Sequence, residues 1–138
     1  MSTTASRRLL LINPNTSQAI SASLLLAVQR CVPPDVTVDV VTARIGAPYI
    51  SDERSYAVAG HAALSAWADD RQRASRPDAV VIACFGDPGL FALREAADCP
   101  VTGLAEAAVA EAALHGDCAI VTGGQAWKPM LGRLLPAL

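Results

Sequence analysis

Short apolar runs alternate with longer amphipathic stretches along most of this chain. Residues 9–12 and 79–83 are continuous apolar runs, which is typical of strands buried in a parallel sheet. Residues 36–42 alternate apolar and polar side chains, which predicts a strand nearer the edge of the sheet. Two further short strands are predicted at 101–102 and 119–122.

Helical segments are predicted between these strands, and their apolar residues keep to helical spacing. The predicted helices run from a cap at Thr16 or Ser17 to about residue 30, and then over 52–75, 88–97, 105–114 and from Gly124 onward. Strand and helix therefore alternate with short connections. This order predicts an α/β fold, a parallel doubly wound sheet flanked by helices, with right-handed crossovers.

Composition narrows the class of protein. The 138 residues are 52% hydrophobic and 17% charged, which describes one globular domain. The net charge is −2 and the sequence has no basic stripe, so neither nucleic acid nor a membrane surface is an expected partner. The apolar run at 9–12 is too short for a signal peptide, and no run approaches the ~20 residues of a transmembrane helix. We expect a cytoplasmic protein that binds a small molecule, and a homo-oligomer is one possible assembly.

Cys84 is the most informative residue because it follows directly after the apolar run 79–83. Asp87 is a favourable helix N-cap and Pro88 a favourable first helical residue, so the thiol is predicted to lie between a strand end and a helix start. Ligands bind at that edge of open α/β sheets, and the positive end of a helix dipole stabilises a thiolate. Cys84 is therefore a candidate nucleophile or acid/base group with a lowered pKa. The alternative is a buried thiol that only fills space.

The other cysteines are predicted to be structural. Cys31 and Cys99 lie near prolines at element boundaries, and Cys118 begins the strand predicted at 119–122. The sequence has no Cys-x-x-Cys pair and only two histidines, so a zinc site is not expected. Cys84 is accordingly expected to be the only thiol at the predicted cleft.

Two more strand ends are followed by polar or glycine-containing loops. Asn13 and Asn15 precede a helix start whose N–H groups can hold a carboxylate or imide oxygen, although the same residues also favour a simple turn and cap. Thr122 and Gly123 follow the last predicted strand, where glycine permits close approach of a ligand. Because parallel strands end at one edge of the sheet, these loops and the Cys84 loop are predicted to form one cleft.

Several segments, in one order along the chain, carry a family resemblance. They are 11–17 (LINPNTS), 83–90 (ACFGDPGL), 101–107 (VTGLAEA) and 121–124 (VTGG), the last followed by Trp127. Together they resemble the hydantoin and allantoin racemase branch of the aspartate/glutamate racemase superfamily. The resemblance covers nearly the whole chain, and the string CFGDPGL is its most specific part.

The resemblance implies a racemase without a cofactor or metal, built of two similar α/β lobes with the substrate between them. Each lobe then supplies one cysteine. One thiolate removes a proton from the substrate carbon while the opposing thiol returns one to the other face. Cys84 matches the first of these cysteines. The residues that match the substrate-binding side are Asn13, Asn15, Phe85, Gly86, Thr122 and Gly123.

One part of the family pattern has no match in this sequence. The second cysteine belongs to a Gly-Cys segment in the C-terminal half, and the chain ends at Leu138 before it. We therefore expect residues 1–138 to be the N-terminal part of a racemase-like domain, truncated at its C-terminus. They would form one lobe and the start of a second, with little activity alone. A single-cysteine decarboxylase or isomerase of the same superfamily and a non-catalytic ligand-binding fragment are the alternatives.

Overall fold

Four parallel strands form the central sheet in the computed structural model, which describes residues 6–138. The strands are β1 (Arg7–Asn13), β2 (Val36–Thr42), β3 (Ala79–Ile82) and β4 (Val101–Gly103), in the spatial order β2-β1-β3-β4. The predicted parallel α/β sheet is confirmed. Residues 1–5, at the N-terminus of the segment in which no signal peptide is expected, lie outside the described residues.

Helices connect the strands and cover both faces of the sheet. They are α1 (Gln18–Gln29), α2 (Glu53–Arg73), α3 (Leu90–Ala96), α4 (Leu104–Ala113) and α5 (Trp127–Leu134), followed by a 3-10 turn at Leu135–Ala137. Ser17 caps α1, and Asp52 forms a capping box with Ser55 at the start of α2. Over residues 6–138, no helix combines the length and apolar character needed to cross a membrane.

Alternate residues of the central strands enter two different cores. Leu10 and Ile12 are fully buried on the face covered by α2 and α3, whereas Leu11 packs on the opposite face against α1. This alternation follows from the pleat of a strand, because successive side chains point to opposite faces. Burial on both faces explains why the sequences of β1 and β3 are continuously apolar.

The strand predicted at 119–122 is wrong. Within the described residues this segment forms neither helix nor strand, and Val121 is 97% exposed. A strand needs a hydrogen-bonded neighbour to satisfy its backbone, and the apolar pattern of 119–122 has none in the four-stranded sheet. Its residues instead lie over a cavity at the carboxyl edge of the sheet.

Candidate active site

The order of the strands places a crevice between β1 and β3. The chain passes from β1 outward to β2 and then crosses back to β3 on the other side of β1. The loops after β1 and β3 therefore leave the sheet in different directions, which opens a ligand-binding crevice at their carboxyl ends in folds of this kind. A cavity of about 610 Å³ lies there.

Most of the cavity wall is apolar, and a few polar groups interrupt it. The polar or thiol-bearing residues on the wall are Asn15, Tyr49, Cys84, Cys118 and Thr122. The larger apolar ones are Ile20, Leu24, Ile50, Phe85, Leu104, Val109, Ile120, Val121 and Trp127. A mainly apolar wall with a small number of polar groups is the usual composition of a small-molecule site.

The loop after β1 presents Asn15 to the cavity and keeps Asn13 behind it. The Asn13 amide nitrogen donates to Asn15 Oδ1 (3.0 Å) and to Ser21 Oγ (2.9 Å), and its side chain is fully buried. Asn15 Oδ1 also accepts from the backbone N–H of Ser17 (2.9 Å). The expectation that Asn13 borders the cavity is wrong in this arrangement. Its amide is used to fix the loop that carries Asn15.

Two hydrogen bonds and a close contact with Trp127 hold the Cys84 loop at the end of β3. The backbone N–H of Asp87 donates to Cys84 O (3.0 Å), which closes a tight turn, and Tyr56 Oη donates to Gly86 O (2.6 Å). Gly86 has φ +110°, and a Cβ there would lie 2.9 Å from Cη2 of the Trp127 ring. Gly86 is thus required by the turn and by the close approach of Trp127, and it does not line the cavity.

Asp87 does not cap the helix that follows it. Helix α3 begins at Leu90, with Gly89 as its cap at φ +84°, so the predicted start at Pro88 is two residues early. The Asp87 carboxylate instead accepts from the backbone N–H groups of Ala105 and Glu106, both at 2.7 Å, in the first turn of α4. A long-range cap satisfies two N–H groups that a helix start leaves without an internal partner.

The Cys84 thiol is in its protonated form at neutral pH. Burial and, as the smaller effect, the negative charge of Asp87 raise the pKa of Cys84 to about 12. Cys84 Sγ also lies 3.7 Å from Phe85 O, where the thiol can donate a weak hydrogen bond. The predicted lowered pKa is therefore wrong, because the thiol is buried and the charged group beside it in the loop is an acidic one.

The segment after α4 forms one wall of the cavity. Thr122 lines it as predicted, whereas Gly123 lies beside it, where an added Cβ would be 3.9 Å from Tyr49 Oη. Cys118 also lines the cavity, which contradicts the prediction that Cys84 is the only thiol there. Cys118 belongs to the segment that does not join the sheet, so its expected position at a strand start is not realised.

Cys31 and Cys99 lie away from the cavity, as expected. Cys31 is exposed just beyond α1, and Cys99 is half-buried in the connection between α3 and β4. Over residues 6–138, no cluster of three or more His, Cys, Asp or Glu side chains is arranged to hold a metal ion.

The sequence interpretation did not predict that α4 lines the cavity. Residues Leu104, Ala108, Val109 and Ala112 of α4 line the cavity together. Their spacing along the chain places them on one helical face, so the period of 3.6 residues was an available signal. The roles of Tyr49 on the cavity wall and of Tyr56 in binding Gly86 O could not be predicted from the sequence. The partner of a tyrosine hydroxyl is fixed only when the chain has folded.

The parallel sheet, with a thiol on the wall of a cavity at its switch point, defines an open-sheet α/β protein with a small-molecule site. The chain belongs to the Asp/Glu/Hydantoin racemase family, whose model matches residues 9–138. It is 39% identical over 102 residues to a hydantoin racemase from Paenarthrobacter aurescens. The aligned region covers 74% of this chain and 43% of that protein.

Two solved structures share the fold. The allantoin racemase from Klebsiella pneumoniae superposes with a TM-score of 0.74 and 39% identity, covering 79% of this chain and 44% of that one. The allantoin racemase from Pseudomonas fluorescens superposes with a TM-score of 0.81 and 25% identity, covering 94% and 55%. The chain thus spans about half the length of these relatives.

Proposed function

We propose that this chain provides one side of a racemase site for a 5-substituted hydantoin or allantoin, with Cys84 as the group that exchanges a proton with the substrate carbon. The observation that carries the proposal is the position of Cys84 on the cavity wall at the β1/β3 switch point. The relatives named hydantoin racemase and allantoin racemase support the same reaction class.

The chemistry needs only a proton donor and acceptor. The carbon at ring position 5 lies between a ring carbonyl and a ring nitrogen, so the carbanion formed by proton removal is stabilised within the ring. Asn15 and Thr122 supply polar atoms on the wall that can bind the ring, and Phe85 adds an apolar surface. In this proposal no cofactor is required, because the protein has to move only a proton.

The protonation state of Cys84 determines whether the resting residue can donate or accept a proton. With a pKa of about 12, the resting thiol is a proton donor, and each pH unit below 12 leaves about tenfold less thiolate. Removal of a proton by Cys84 therefore speeds up as the pH rises. Delivery of a proton to a carbanion needs no prior ionisation.

Inversion of the carbon requires a second group on the opposite face. Cys118 is the other thiol on the cavity wall, but it is exposed and lies in an irregular segment. We therefore propose that Cys84 works from one face, that Cys118 is not its matched partner, and that this chain acts as the N-terminal part of a longer racemase. The relatives, about twice as long, support this assignment.

A ligand-binding role without catalysis is the competing function, and the raised pKa of Cys84 favours it because little thiolate is present at neutral pH. The two functions are separated by NMR of the ¹⁵N-labelled chain with an enantiopure 5-alkylhydantoin in D₂O. Both predict changes at Asn15, Cys84 and Thr122. Only the proposed function predicts loss of the substrate C5–H signal above the uncatalysed rate, and its absence at every pH up to 10 would contradict catalysis.

A cytoplasmic location belongs to the same proposal. All four cysteines are free, and a thiol that transfers protons must stay reduced. Reducing compartments keep thiols in that state.

A further inference from the structure

Asp87 is a buried acidic residue with partners on a distant part of the chain. Its side chain is only 1% exposed, and both carboxylate oxygens accept N–H groups at the start of α4. Gly103 makes room for it, because a Cβ at that position would coincide with the carboxylate. Asp87 also has φ +50°, a conformation that costs free energy for a residue other than glycine. The fold thus retains a strained backbone to place this carboxylate.

The same residue closes the turn that carries the thiol. The backbone N–H of Asp87 donates to Cys84 O. The Asp87 carboxylate, which binds the start of α4, and the Cys84 thiol, which lies on the cavity wall, therefore belong to one tight turn. Helix α4 forms another wall of the same cavity through Leu104 and Val109. Asp87 therefore connects two walls of the site.

We propose that Asp87 is a positioning residue for Cys84: its carboxylate, anchored on the first turn of α4, fixes the Cys84 loop against the α4 wall and places a negative charge beside the thiol. The importance of this for proton transfer rests on the proposed function, whereas the positioning itself does not.

The charged groups around Asp87 are few and identifiable. Glu106 raises the pKa of the Asp87 carboxyl and Arg94 lowers it, after the larger effects of burial, which raises it, and of the two α4 N–H groups, which lower it. Arg94 is itself paired with Glu106 at 2.6 Å. On the side of α2, burial and the charges of Asp87 and Cys84 raise the pKa of Tyr56. Asp87 is thus the acidic group that acts directly on the thiol.

The experiment measures the alkylation rate of Cys84 and the hydrogen exchange of residues 84–90 in the same variants. Asp87→Asn removes the charge and one of the two acceptor oxygens, so Cys84 should react about tenfold faster with iodoacetamide at pH 9, while loop exchange rises by at most about threefold. Asp87→Ala removes both acceptors, so loop exchange should rise about tenfold or more. Asp52→Asn is the matched control, because it alters the cap of α2 and should change neither readout.

An unchanged alkylation rate in Asp87→Asn, or faster alkylation that comes with as much loss of loop protection as in Asp87→Ala, would overturn the role of the charge. Unchanged loop exchange in Asp87→Ala would overturn the positioning role. If the variants fail to fold, the wild-type chain still provides a test: the amide signals of Ala105 and Glu106 should follow one common carboxyl titration, and independent or absent shifts would overturn the proposal. None of these measurements uses a hydantoin, so they can fail or succeed independently of the racemase assignment.

Discussion

At the scale of single residues, Cys84 shows how burial can outweigh a helix start. A thiol after a central strand resembles the position of an activated cysteine, and the sequence alone favours a lowered pKa. Folding adds two effects that act in the other direction, namely desolvation of the thiol and the charge of Asp87. The position of Cys84 at the cavity was predictable from the sequence, but its protonation state depends on contacts made only in the folded chain.

The first prediction concerns the reactivity of that thiol. Since Cys84 has a pKa of about 12, its alkylation by iodoacetamide should rise about tenfold per pH unit from pH 8 to 10.5 without a plateau. Peptide mass spectrometry resolves Cys84 from Cys31, whose exposed thiol is the internal reference. A plateau for Cys84 at or below the ~8.5 of a free thiol would contradict the account.

A second residue-scale prediction tests the space reserved for Asp87. Gly103→Ala places a methyl group on the carboxylate, so the free energy of unfolding should fall by about 1–3 kcal/mol, as is usual for overpacking. Gly132→Ala is the matched control, because a Cβ there has no neighbouring atom within 4 Å. Equal stability of the two variants in urea denaturation would show that the Asp87 carboxylate is not confined as described.

At the scale of elements, the apolar pattern predicted most of the strands and helices. It was wrong for two features that depend on contacts between distant parts of the chain. The parallel strands β1 to β4, the cap at Ser17 and the start of α2 near residue 52 follow from local signals and are confirmed. The start of α3 was misplaced because Asp87, a good cap for any helix, serves α4. The strand at 119–122 was wrong because a pattern indicates which residues can pair, while a strand also needs a neighbour.

Helix α4 carries a prediction of its own as a wall of the cavity. Ala108→Phe adds a ring on the face that lines the cavity, so the affinity for a 5-alkylhydantoin should fall about tenfold, or ~1.4 kcal/mol. Ala107→Phe on the same helix is the matched control, because Ala107 is exposed and does not line the cavity. Equal affinities of the two variants by calorimetry would place the ligand elsewhere.

At the scale of the whole molecule, the thiol links stability to pH. The folded chain keeps a proton on Cys84 up to a pKa of about 12, whereas the unfolded chain loses it near ~8.5. Raising the pH through this window therefore favours unfolding. Between pH 7 and 10 the wild-type chain should lose roughly 2 kcal/mol more stability than Cys84→Ser, measured by urea denaturation. Parallel losses in both chains would contradict the raised pKa.

The candidate site as a whole was only partly accessible from the sequence. Cys84 and Asn15 meet on one cavity because parallel strands end at a common edge, which topology alone predicts. Thr122 was predicted on the same cavity, but it reaches the wall from a segment that forms no strand. Asn13 lies behind Asn15 because of a hydrogen bond between their side chains, which the sequence does not reveal. Cys118 lies on the wall because its segment does not join the sheet.

The most direct test of the central claim is the configuration of the product when an enantiopure 5-alkylhydantoin is incubated with the chain in D₂O. Cys84 can remove and return a proton on one face, so we expect deuterium at C5 with retained configuration, above the uncatalysed background. The exchange should be abolished in Cys84→Ser and unchanged in Cys118→Ser. Exchange that persists in Cys84→Ser, or rapid racemisation by the wild-type chain that is lost in Cys118→Ser, would contradict the account.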